Sequence, residues 1–297
     1  MPFVSKDVHV AGTTMRYLES GQGPPVVFLH GNPTSSYLWR DVLPRLAGPG
    51  RRLIAVDLIG MGGSGKPEIG YHLSDHIDYV TAFAEALSLT DITFVAHDWG
   101  VAISLEYLRR HPARVRAVAI MEGHLRPVPG WDDFDPGGRE IFQRLRTPGL
   151  GERLALEENF LIETLLPAGL QRQLTAAELQ VYRAPYANPA ARRPLLQWTR
   201  EIPIGGEPAD VARTLTLAWE HLAGSPVRKL LVHGRPGAIV DAATLAWCRQ
   251  TQPGLAVADA GPAGHFLPED RPAEVAAALD AWLGPSGSAG REGTGPG

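Results

Sequence analysis

The 297-residue sequence holds a single cysteine, Cys248, and only three lysines among its 28 basic residues. One cysteine excludes an internal disulfide framework and fits a reducing compartment. The arginines that carry most of the positive charge are scattered, never in a run longer than a pair, and the net charge is −4. That pattern excludes the clustered basic face of a nucleic-acid binder. Apolar runs are short, and none approaches the ~18 residues of a membrane helix. The N-terminus lacks a charged segment followed by an apolar one, the mark of a secretory signal. A cytoplasmic protein with no membrane or nucleic-acid partner is expected. What is present suits a large core: 44% hydrophobic and 20% charged residues, in a length fitting one α/β domain with room for an insertion.

Residues 8–10 and 15–18 alternate around Ala11-Gly12-Thr13 and predict a hairpin. A short, fully apolar run at 26–29 and further short, largely apolar runs at 52–56, 92–95 and 115–121 predict strands buried on both faces, as in a parallel sheet. Helical periods over 37–46, 78–89 (with Ser74 or Asp75 as cap) and 101–110 lie between or after them. Alternation of this kind predicts a doubly wound, mostly parallel α/β sheet for residues 1–128. Over 129–208 buried-strand runs vanish. Helical stretches at 139–146, 153–165 and 176–182 are split by Pro and Gly, which predicts a helical insertion. The sheet resumes over 209–284, with strands at 229–232 and 255–257 and a closing helix at 272–283. The Gly-, Ser- and Pro-rich tail 285–297 is expected to be disordered.

Several apparent motifs lack the context they need. Gly60, Gly62 and Gly65 match G-x-G-x-x-G, but Lys66-Pro67 and Gly70 follow, so no helix begins there to meet a pyrophosphate. A pocket wall is expected instead. His72 and His76 are four apart, beside Asp75 and Asp78, yet the glutamate of H-E-x-x-H is missing. They read as a solvated helix start favouring acidic residues. Asp57, at a strand end, reads as a clasp on loop backbone. No cofactor and no metal are predicted.

His97-Asp98-Trp99-Gly100 joins strand 92–95 to helix 101–110. Strand, tight turn and helix have the shape of a nucleophile elbow, with Asp98 where Ser or Cys usually stands. The plain alternative is a helix cap. An aspartate is already ionised and attacks without a base. It can displace a leaving group from saturated carbon, giving an ester whose hydrolysis needs a water, a base and an oxyanion hole. His265, in a loop between the last strand and the closing helix, is in position to be the base. The acid orienting it is Glu122, at the end of strand 115–121, or Asp241; Glu122 is favoured. Asn32, after strand 26–29, and the Trp99 indole are donors suited to a departing anion.

These residues resemble the haloalkane dehalogenases of the α/β-hydrolase superfamily. The stretches that carry the resemblance are His30-Gly31-Asn32-Pro33, Asp57-Leu58-Ile59-Gly60, His97-Asp98-Trp99-Gly100, Met121-Glu122, Glu201-Ile202-Pro203 and Gly264-His265-Phe266. Their order and spacing agree over about 14–283. The resemblance implies an α/β-hydrolase fold with a helical cap after the strand that follows the elbow. It implies Asp98 as nucleophile, His265 as base, Glu122 as the orienting acid, and Asn32 with Trp99 as the halide pair. It also implies a small apolar halogenated substrate, a released halide ion, and no cofactor. Gly237, where relatives of other groups carry Asp, agrees with Glu122 in the acid role. The chain departs from the pattern at Gly123-His124, Tyr186 and His233, which bear on substrate preference.

Two rivals stand beside this reading. An epoxide hydrolase would need lid tyrosines, for which Tyr182 and Tyr186 are candidates, although Asn32 argues against it. A non-catalytic ligand-binding protein on the same fold would not need Asp98, His265 and Glu122 together. Apolar lid residues Trp131, Phe134, Phe142, Phe160, Leu161 and Leu165 are candidates to wall a dry cavity.

Overall fold

The computed structural model describes residues 2–134 and 136–284. The tail expected to be disordered, 285–297, lies outside the described residues. Eight strands form one sheet: β1 (Val4–Val10), β2 (Thr13–Gly21), β3 (Pro25–Leu29), β4 (Arg52–Val56), β5 (Ile92–His97), β6 (Val115–Met121), β7 (Arg228–Pro236) and β8 (Leu255–Ala263). Their order is β1-β2-β4-β3-β5-β6-β7-β8. The first two pairings are antiparallel and the rest parallel. This is the α/β-hydrolase architecture, and it follows from the residue pattern. Strand β3 is buried at every position, and β5 likewise. Only a strand covered on both faces tolerates such a run.

The chain order reverses at β3, which sits between β4 and β5. Ligands of open parallel sheets bind at the carboxyl ends of strands beside such a switch point. The helix Trp99–Arg110 leaves β5 with ten of its residues buried, so it lies within the molecule. Gly100 permits this: a Cβ there would stand 2.5 Å from the Leu29 carbonyl oxygen. The helix Ala209–Gly224 packs against it.

Between β6 and β7 the chain makes a helical excursion whose two ends meet. Val128 pairs with Ile204, and the Val128 amide donates to the Pro203 carbonyl at 2.8 Å. The excursion includes helices Pro136–Arg146, Ala176–Arg183 and Arg193–Glu201, with π-turns at Arg153–Glu157 and Leu161–Leu165. A buried carboxylate ties it to the sheet. Glu269, 3% exposed, accepts from both Arg40 nitrogens, from Arg172 and from the Tyr182 hydroxyl.

Some boundaries differ from the sequence reading. The helix expected over 37–46 is broken into a 3-10 turn at Ser36–Trp39 and a short helix at Leu43–Leu46. Pro44 has no N–H for a bond back to Arg40, which prevents a continuous helix. The helix expected from 78 begins at Leu73. Its N-cap is His72, and Asp75 sits three residues in, where its carboxylate accepts the His72 amide at 2.9 Å. His76 is therefore not solvated: it is fully buried, its ring stacked on Trp198 with centroids 4.1 Å apart.

Candidate active site

Five strand ends converge on one point. Asn32 follows β3, Asp98 follows β5, Glu122 follows β6, Ala238 and Ile239 follow β7, and His265 follows β8.

Asp98 occupies the N-cap position of the Trp99–Arg110 helix but makes no side-chain cap hydrogen bond. Its backbone is at φ 53°, ψ −124°, outside the usual left-handed well. Such a conformation costs roughly 1–3 kcal/mol for a residue with a Cβ. The turn aims the carboxylate away from the helix. One oxygen, Oδ1, accepts the Asn32 amide at 2.7 Å, and Oδ2 lies 3.4 Å from His265 Nε2. Gly31 makes room, since a Cβ there would stand 1.9 Å from Oδ1. Burial alone would raise the Asp98 carboxyl, but the hydrogen bond and charge of His265 outweigh it and hold the group far below the usual carboxylate range.

His265 is gripped through its backbone. Its amide donates to the Gly169 carbonyl at 2.9 Å, and its carbonyl accepts from His97 Nε2 at 2.8 Å. Asp270 accepts the neighbouring Gly264 amide at 2.8 Å and the amides of Gln171 and Arg172. Thus the histidine loop is built jointly by the sheet and the excursion. The other ring nitrogen, Nδ1, lies 3.7 Å from Glu122 Oε2. That is an ion-pair distance, longer than a hydrogen bond. Burial lowers the His265 pKa, yet Asp98 and Glu122 together carry it up to about 9.

Glu122 is fully buried, and like Asp98 it has a positive φ, 45°. Oε2 accepts the amides of Ala238 and Ile239 at 3.0 and 2.9 Å. Against its burial, these bonds and the His265 charge hold it ionised with a lowered pKa. A Cβ on Gly237 would stand 2.9 Å from Glu122 Oε1. Positions 122 and 237 therefore compete for the same space beside His265. Asp241 is elsewhere: it caps the helix Ala242–Thr251 through the Thr244 amide.

Asn32, Asp98, Trp99 and His265 line one cavity of about 310 Å³ together with Phe134, Ile141, Phe142, Leu165, Ile202, Ile239 and Phe266, whereas Glu122 does not line it and meets the site through His265. Asn32 gives one Nδ2 hydrogen to the Leu195 carbonyl at 3.1 Å, and the second meets no acceptor among the described residues. The Trp99 indole N–H has no hydrogen-bond partner among the described residues, and its ring stacks on Trp198 at 4.7 Å. Of the six lid residues singled out in the sequence, Phe134, Phe142 and Leu165 reach the cavity, whereas Trp131, Phe160 and Leu161 do not. The Gly60 to Gly65 loop is not a cavity wall either. Asp57 holds it away, accepting the amides of Ser36 and Gly63, each at 2.7 Å.

A profile of the alpha/beta hydrolase fold matches residues 24–272. The haloalkane dehalogenase of Mesorhizobium japonicum is 44% identical over 282 residues, 93% of this chain and 90% of that protein. That of Sphingobium indicum is 42% identical, over 95% of this chain and 96% of its own. The chain belongs to the haloalkane dehalogenases. It is a hydrolase of carbon–halide bonds. Among solved structures, a haloalkane dehalogenase from Bradyrhizobium elkani superposes with a TM-score of 0.92 at 43% identity, covering 95% of this chain and 98% of that one.

Within this dehalogenase frame, sequence reasoning left out three contributors. His97, quoted only as part of the elbow, anchors the His265 carbonyl. The amides of Ala238 and Ile239 cradle Glu122, and Gly169 receives the His265 amide. Gly237 was the available sign of the cradle. Nothing local in the sequence marks the contact with Gly169, which lies 96 positions from His265.

Proposed function

We propose that this enzyme hydrolyses haloalkanes through a covalent ester on Asp98, with residues 129–208 acting as a helical cap over the reaction. Asp98 Oδ2 attacks the halogen-bearing carbon as the carbon–halogen bond breaks, and the halide leaves with the bonding pair. Asn32 Nδ2 and the Trp99 indole N–H receive the charge as it develops. The apolar walls keep the carboxylate poorly solvated before attack. Alkylation removes the negative charge of Asp98 and with it part of what keeps His265 protonated, so the imidazole becomes a base. His265 Nε2 then takes a proton from water, whose oxygen adds to Asp98 Cγ. The Asn32 amide, already on Oδ1, stabilises the oxyanion. Collapse releases the alcohol and restores the carboxylate. Overall, haloalkane and water give alcohol, halide and a proton.

The observation that carries this reading is the orientation of Asp98. A residue at an N-cap position that donates nothing to capping, and instead meets an amide and an imidazole in an apolar cavity, is arranged for attack. The epoxide reading loses its support because neither Tyr182 nor Tyr186 lines the cavity. Tyr182 is hydrogen-bonded to Glu269, and Tyr186 is 1% exposed, its hydroxyl without a partner among the described residues. Free halide measured with 1-bromobutane and 1,2-dibromoethane tests the proposal. Sustained release supports it; diol formation from epoxides with no halide release refutes it.

A further inference from the structure

His124 is a cavity-lining residue to which the mechanism gives no task. It is half-buried and packs against the Trp99 indole, ring centroids 4.9 Å apart and planes 43° apart. The other polar groups in the wall are accounted for. Thr199 Oγ1 donates to the Leu196 carbonyl at 2.7 Å, and the Trp198 indole N–H meets Met61 sulfur at 3.3 Å. Asn32, Asp98, Trp99 and His265 belong to the reaction. Neither ring nitrogen of His124 has a hydrogen-bond partner among the described residues. Burial pushes its pKa down to about 4, against the opposing pull of the Asp98 charge. At neutral pH it is therefore uncharged, with one ring nitrogen a donor and the other an acceptor.

We propose that His124 is a specificity residue that selects haloalkanes bearing a hydroxyl group close to the reacting carbon. This inference rests on the dehalogenase reading of the site. A purely apolar substrate that fills the cavity strips water from the His124 nitrogens and returns nothing. A hydroxyl both donates and accepts, so it replaces that water on either nitrogen. The ring adjoins the Trp99 indole, where the halide forms, so the oxygen belongs only a few atoms from the halogen. One neutral hydrogen bond of this kind is worth about tenfold in discrimination.

The test compares kcat/KM for 3-bromopropan-1-ol and 1-bromobutane, which have the same number of heavy atoms. In the wild-type enzyme the alcohol is expected to be used at least as well as the alkane. In His124→Phe and in His124→Leu the alcohol-to-alkane ratio falls about tenfold, and in His124→Gln it is largely restored. A wild-type preference for the alkane of tenfold or more overturns the inference. So does a ratio unchanged in whichever of the Phe and Leu variants folds, or a loss shared equally by both substrates. Absence of bromide from both substrates with wild-type enzyme overturns the dehalogenase reading and this inference with it, so the two failures are distinct.

Discussion

At the scale of single residues, the site separates charge from capping. Asp98 gives up the bond that its position offers and accepts a strained φ of 53°. In return the carboxylate stands between the Asn32 amide and His265. The proposed acid role of Glu122 rests on the same kind of geometry, because Glu122 faces His265 while Asp241 caps a helix. Glu122→Gln is therefore expected to lower kcat at least about a hundredfold, on the scale of a lost base-orienting group, and Asp241→Asn to change it less than twofold. Steady-state halide release checks both, and the reverse order would move the acid to Asp241. The pH behaviour has a definite sign. His265 is raised to about 9 only while Asp98 is anionic, and attack by Asp98 needs no neutral imidazole. Single-turnover alkylation is expected to be flat from about pH 6 to 8, a window that lies inside the span between the Asp98 and His265 titrations. The later hydrolytic step should slow on the acid side, where His265 is protonated. Rapid-quench measurements of the two phases separate these outcomes.

At the scale of elements, the loop carrying His265 depends on the helical excursion. Asp270 accepts amides from Gly264 on one side and from Gln171 and Arg172 on the other. In Asp270→Asn an amide NH₂ would face donors, and the loop should loosen. Turnover is expected to fall about tenfold, on the scale of one charge-assisted bond, with the alkylation burst largely kept. Equal loss in both phases would show that Asp270 acts on the whole site and not through His265. The central strands β3 to β6 were legible in the sequence because each is short, largely apolar and is followed by or ends in a chemically distinctive residue. Helices were less legible. Ala209–Gly224 has Val211, Leu215, Ala218, Trp219 and Leu222 on its buried face, a helical spacing that the sequence reading passed over. The stretch expected as one helix over 153–165 is interrupted between its two π-turns, where Asn159 has φ 54°. Local periodicity cannot reveal such a break, because the break is made by packing. The partners at the candidate site were found through their positions at strand ends; the Gly169 contact that holds His265 arises only once the excursion folds back.

At the scale of the whole molecule, buried histidines set the pH range of stability. His76 and His97 are fully buried, and burial pushes their pKa values down to about 3 and about 4. Groups lowered from 6.5 contribute stability above that value and lose it as pH falls towards the folded pKa. His265 has the opposite sign: its contribution is complete below 6.5 and is lost as pH rises through about 9. Stability is therefore expected to be greatest near neutrality and to decline below pH 6.5. His76→Phe, which keeps a ring against Trp198, should flatten the acid limb between pH 6.5 and about 4 in urea unfolding curves. An unchanged limb would show that the carboxylates alone govern acid unfolding.

The proposed chemistry turns on Asp98 forming an ester that His265 hydrolyses. The most direct measurement is the intact mass of His265→Phe after incubation with 1-bromobutane, together with the halide released. The expected result is one halide per protein and a butyl group that peptide mapping places on Asp98. Sustained turnover in this variant, or halide release with Asp98 unmodified, would contradict it.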